Sequence, residues 1–167
     1  MDRNRPYDEE QCTAELASIL EESPRVRLLL SNVFKLNKKA LVKGVTCRKC
    51  EGTLQHNKFG YYDPQYKRLR SKRALEETLI HELVHAFDAS RKGKFTSPCH
   101  LVACGEVRAS KLGQCAHVWP SFRKRDCVFR DAVNSTQPHC RDASKVVAEV
   151  FENCYKDSAP FPSVDEK

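Results

Sequence analysis

Residues 81 to 88 read HELVHAFD, two histidines four apart with a glutamate directly after the first. Four-residue spacing on a helix stacks side chains on one face, so His81 and His85 can offer imidazole nitrogens to one metal at about 2.0–2.1 Å. Glu82 lies about 100° around that helix, near enough to reach a water on the metal without ligating it. Zinc brings the pKa of such a water towards about 7, and an adjacent carboxylate can take its proton during attack on a peptide carbonyl. The octet therefore predicts a zinc peptidase site with Glu82 as general base, then acid.

A catalytic zinc needs a third protein ligand and an open position. Asp88 is nearest in the chain but stands seven residues from His81, about 10.5 Å along the axis, too far for a short side chain to close the triangle. Its expected role is a hydrogen bond that orients a ligand imidazole. Glu106, in ACGEVRAS, is the expected third ligand: twenty-one residues past His85, the chain has room to turn back and lay a second helix beside the first. The alternative for Glu106 is an ion pair with Arg108 or another cation. His100 and His117 are reserve ligands. A metzincin extension would need glycine at 88 and histidine at 91, where this chain has Asp88 and Arg91, so that class is excluded.

The metal helix must be held by a core, and Thr78, Leu79, Ile80, Leu83, Val84, Ala86 and Phe87 make its middle uncharged almost all round, as in a helix central to a domain. Periodicity predicts a helix from Glu9 to about Leu20, and Ser23-Pro24 opens a second through RVRLLLSNVFKL. The stretch 41–62, LVKGVTCRKCEGTLQHNKFGYY, is rich in β-branched and aromatic residues broken by glycines and reads as a short hairpin. The metal helix should run from about Lys72 to Ser90, followed by helices near 98–112, 121–134 and 140–154. The expected class is α+β, mostly helical, a zincin-like domain with a small sheet and disulfide-linked C-terminal helices. Residues 1–161 should form one domain. The ending SAPFPSVDEK reads as loose, with 162–167 as tail.

Nine cysteines in 167 residues favour an oxidising compartment, and their odd number leaves at least one thiol free or intermolecular. No secretory or matrix-targeting segment is visible at the N-terminus and no apolar run is long enough to span a bilayer, a combination met by the mitochondrial intermembrane space. Cys140 and Cys154 are too far apart to pair with each other, so each must look to another helix. Cys47 and Cys50 lack a second C-x-x-C for a zinc site, and disulfides to other parts of the chain are their expected fate. The net charge of +7 gathers in residues 66–73, 91–94 and 123–125, suited to a solvated basic face or anionic lipid. No nucleic-acid-binding signature accompanies it.

HELVHAFD, then LVACGEVRAS, then cysteines at 115, 127, 140 and 154, and VFENCYKDSAPF near the end together resemble a mitochondrial inner-membrane metalloprotease family, some animal members of which are called Ku-binding protein. The resemblance runs from about Cys12 to Phe161. It implies zinc on His81 and His85, catalysis by Glu82, and disulfides formed in the intermembrane space. It further implies peripheral placement on the inner membrane, trimming of an ATP synthase FO subunit precursor as polypeptide substrate, and help in FO assembly independent of the peptidase centre. The chain departs from the family at Gly105, usually serine, in GKFTSPCHL, where an Asp-Trp pair is usual, and in YKRLRSK, where a cysteine is usual. A substrate strand is expected to join the sheet edge near residues 53–62. Two other classes stay in view: an assembly chaperone using its surface alone, and a nuclear DNA-repair adaptor with reduced cysteines.

Overall fold

A computed structural model describes residues 9–47, 71–91 and 93–162. Among these residues the order is α1 (Glu9–Glu22), α2 (Pro24–Leu36), α3 (Lys72–Ser90), α4 (Pro98–Leu112), α5 (Ser121–Thr136) and α6 (Ala143–Lys156). Serines set the starts of three helices. The side chains of Ser23, Ser71 and Ser97 accept from the backbone N–H of Val26, Ala74 and His100, and Pro24 and Pro98 occupy first-turn positions that need no N–H donor.

The helices bury two apolar clusters. The first joins Leu16 and Ile19 of α1, Val26, Leu29 and Val33 of α2 and one side of α3, with Ala109 and Leu112 of α4 closing it. The second joins Ala103, Cys104 and Val107 of α4 to Val128 of α5 and Val147 and Phe151 of α6. Helix α4 therefore belongs to both clusters, and its packing on α3 forms the seam between them. The site lies at that seam.

The expected sheet is corrected: among the described residues there is no strand, and the fold is helical throughout. Residues 41–47 turn at Gly44, whose φ of +70° is one that glycine adopts without strain, and the Gly44 N–H donates to Leu41 O. Leu41, Val45 and Cys47 are apolar because they pack on the first cluster, with Cys47 bonded to Cys12, and not because they pair as strands. Most of the hairpin reading, and the substrate edge at 53–62, fall outside the described residues.

Four disulfides connect these parts: Cys12–Cys47, Cys99–Cys140, Cys104–Cys154 and Cys115–Cys127. Cys140 and Cys154 each find α4, although the last helix starts at Ala143 and Cys140 precedes it instead of lying on it as expected. Cys50 lies outside the described residues.

Ser158 to Phe161, read in the sequence as loose, is docked. Arg108 and Lys111 of α4 hold the backbone carbonyls of Asp157, Ala159 and Tyr155, while Ala159 and Phe161 pack on the first cluster. The sequence shows these residues as small and proline-rich, which hides that their carbonyls serve buried cations.

Candidate metal centre

Helix α3 carries His81 and His85 one turn apart, and α4 lies against it with Glu106 facing them. His81 Nε2 and His85 Nε2 are 3.1 Å apart. The Glu106 carboxylate completes the triangle, with Oε2 3.5 Å from His81 Nε2 and Oε1 3.4 Å from His85 Nε2. All three side chains are largely buried, at 10%, 26% and 14% exposure. Among the described residues they form the group of histidines and carboxylates that could hold a metal ion.

The spacings fit zinc. Ligand atoms at about 2.0–2.1 Å from a tetrahedral centre are about 3.3–3.4 Å from one another, close to all three separations. Glu106 Oε2 is buried without a hydrogen-bond partner, because its 3.5 Å approach to His81 is an electrostatic contact and not a hydrogen bond. Orphaned buried carboxylate oxygens are costly, and a bound cation would satisfy this one.

Electrostatics within the triangle follow from its burial. Burial pushes the His81 imidazole down, but Glu106, then Glu82 and Gln114, outweigh it and its pKa is raised. Burial likewise pushes the Glu106 carboxyl up, and the two imidazoles more than reverse this, holding it well below the usual carboxylate range. Without metal, the raised His81 and lowered Glu106 favour an imidazolium beside a carboxylate in the triangle.

His81 is oriented from behind. Its Nδ1–H donates to Gln114 Oε1 across 2.8 Å, which leaves the Nε2 lone pair pointing into the triangle. Gln114 reaches it because the chain turns sharply at Gly113, where a Cβ would stand 2.8 Å from the carbonyl of Glu77 and 3.1 Å from the His81 Cβ. Only glycine allows α4 to end this close to α3. His85 has Gly105 behind its Nδ1, where a Cβ would sit at 3.4 Å. Glu82, on the same turn, is partly open to solvent.

The remaining candidates lie elsewhere. Asp88 does not orient an imidazole: its Oδ2 accepts from Arg108 Nε at 2.8 Å. Its Oδ1 lies 2.9 Å from Arg91 Nε, an ion-pair contact too bent for a hydrogen bond. Arg108, wholly buried, also pairs with Asp157 at 2.6 Å, as does Arg91 at 2.6 Å, so two arginines and two aspartates close a ring. Arg108 is two residues from Glu106 and about 200° around the helix, so the Glu106–Arg108 pair considered from sequence does not form. His100 bridges Ser97 and Glu149, and His117 is exposed.

Sequence reasoning missed Gln114 and the ring. A glutamine in a turn carries no signal of its own. Arg108 amid the apolar residues of α4 did carry one, since a cation there demands buried partners.

The Peptidase M76 family profile matches residues 10–162. Among similar proteins, the Mitochondrial inner membrane protease atp23 of Neosartorya fischeri is 33% identical over 184 aligned residues, covering 97% of this chain and 76% of its own. The proteins of that name from Coccidioides immitis and Lodderomyces elongisporus are 32% and 31% identical with the same two coverages. No solved structure matches the chain.

Proposed function

The chain belongs to the peptidase M76 family, and from that membership we propose that it is a zinc-dependent endopeptidase of the mitochondrial intermembrane space. Its proposed substrate is the precursor of an ATP synthase FO subunit, with a further role in FO assembly. The observation that carries the reading is the convergence of His81, His85 and Glu106 at 3.1–3.5 Å beside Glu82.

In this reading His81, His85 and Glu106 hold the zinc. When bound, zinc supplies Lewis acidity, acidifying a water and polarising the scissile carbonyl. Glu82 accepts the proton of the attacking water and returns it to the leaving amine. Gln114 keeps the His81 Nε2 lone pair aimed inward throughout. The seam between two apolar clusters excludes bulk water from behind the ligands and leaves Glu82 on the open side.

The proposed compartment is supported by four disulfides, which persist in oxidising spaces and count against a reduced nuclear adaptor. It is also supported by the printed names of the relatives. The FO substrate and assembly role rest on the motif resemblance.

Zinc content and cleavage of an unstructured polypeptide, measured on the oxidised protein, test the reading. Wild type should hold about one zinc per chain. Glu82→Gln should keep the zinc and lose cleavage by about 10²–10⁴-fold. A well-folded, zinc-free wild type, or full cleavage by Glu82→Gln, would overturn it.

A further inference from the structure

The basic runs prominent in the sequence are partly spent on internal pairs. Lys72 and Arg73 meet Glu22 at 2.7 Å and Glu77 at 2.9 Å, Arg91 belongs to the ring with Asp88 and Asp157, and Arg125 pairs with Glu152. A different surface carries unbalanced charge. From Pro24 to Cys47 the chain has Arg25, Arg27, Lys35, Lys38, Lys39 and Lys43 and no aspartate or glutamate. Arg25 turns inward to the Leu112 carbonyl and the Phe161 ring. The other five are exposed, with no ion-pair partner among the described residues.

Large apolar side chains stand among these cations. Leu28, Phe34, Leu36 and Val42 are 37%, 43%, 49% and 78% exposed. On α2, Arg27, Leu28, Ser31, Phe34 and Lys35 fall within one arc of roughly 120°, opposite the buried Val26, Leu29 and Val33. The helix thus has one apolar face in the core and a second, mixed apolar and basic, in water. Isolated exposed apolar residues need no explanation, but Leu28 and Phe34 on this arc and Val42 in the turn that follows, in a segment with five exposed cations and no acid, have the composition of an interfacial face. Lysine stems lie along apolar surface while their ammonium groups reach phosphates, and Leu28 and Phe34 on the outer arc can enter the headgroup layer. No described helix is long and apolar enough to cross a membrane, so membrane contact by these residues would be through a surface.

We propose that the outer face of α2 and the turn through Lys43 docks this chain on an anionic phospholipid bilayer. The proposal rests on the inner-membrane placement above and names the face responsible. Binding there leaves the α3–α4 seam to act on polypeptide held near the same membrane.

The test is sedimentation of the oxidised full chain with phosphatidylcholine vesicles, with and without about one phosphatidylglycerol in four lipids. The expected result is binding to the anionic vesicles only, weakened about fivefold for each of Lys35, Lys39 and Lys43 changed to alanine and about a hundredfold for all three. Changing Leu28, Phe34 and Val42 to serine should also weaken it and raise its salt sensitivity. These side chains are exposed, so the thermal midpoint and the cleavage of a soluble polypeptide should not change. That cleavage, lost in Glu82→Gln, judges the peptidase reading separately. The proposal is overturned if wild type ignores anionic vesicles or if the triple lysine variant binds as wild type. It also falls if Phe122→Ser with Arg123→Glu, on the exposed start of α5, removes binding instead. Equal affinity for polyglutamate, insensitive to the serine changes, would assign the face to an acidic polypeptide and overturn the lipid.

Discussion

Arg108 Nε donates to Asp88 Oδ2 across 2.8 Å, joining α4 to α3 three residues beyond His85 and two beyond Glu106. The distance between the helices that carry His81, His85 and Glu106 is thus held by a buried ion pair about one turn from that triangle. Asp157 and Arg91 close the pair into a ring and tie the C-terminal segment to it.

Breaking this pair should loosen the site as well as the fold. Asp88→Asn or Arg108→Met leaves a buried charge short of one partner, a loss of up to about 3–5 kcal/mol softened by the ring members that remain. Arg108→Lys should not rescue it, because one ammonium cannot reproduce the planar fork that reaches Asp88, Asp157 and the Ala159 carbonyl. Chemical denaturation together with zinc affinity checks this. A variant that loses stability but keeps full zinc affinity would show that the ring does not space the helices.

The outer nitrogens of the two imidazoles should respond in opposite directions. Gln114→Ala removes the acceptor for His81 Nδ1 and should weaken zinc about 10–100-fold while leaving the helices intact. Gly105→Ser puts a hydroxyl beside His85 Nδ1, where a Cβ meets only ordinary contact at 3.4 Å, and should tighten zinc. Competition titration with a chromogenic chelator measures both, and circular dichroism verifies the fold.

The metal-free protein should show a distinct pH profile. His81 has a raised pKa, so its contribution is complete below its ordinary value of 6.5 and fades as pH rises through the folded value. Glu106 is lowered, so its contribution is complete above 4.5 and is lost as pH falls through the folded value. Both are present between 4.5 and 6.5, where the triangle contributes most to metal-free stability. Zinc competes with these protons, so the stability it adds should grow as pH rises through the His81 titration. Thermal midpoints across pH, with and without zinc, check the signs, and Glu106→Gln should remove the metal-free decline above pH 6.5.

Much of the helical frame was legible because its signals are local. Ser23-Pro24 marked a helix start, the apolar rows of α3 gave its extent, and α4 began and ended as expected. The hairpin reading failed because β-branched residues report burial without saying against what. Val45 answers to the first cluster and Cys47 to a disulfide with Cys12, both built from residues far away in sequence.

The sequence by itself determined that His81 and His85 share one face with Glu82 beside them, since helical period alone sets that relationship. It also determined that Cys140 and Cys154 could not pair with each other. Tertiary structure alone decided that Glu106 faces the imidazoles while Arg108 turns to Asp88, that Gln114 stands behind His81, and that Asp157 to Phe161 is docked. Those choices depend on how α4 rolls against α3, a rotation set by two apolar clusters built from all six helices, which no local stretch encodes.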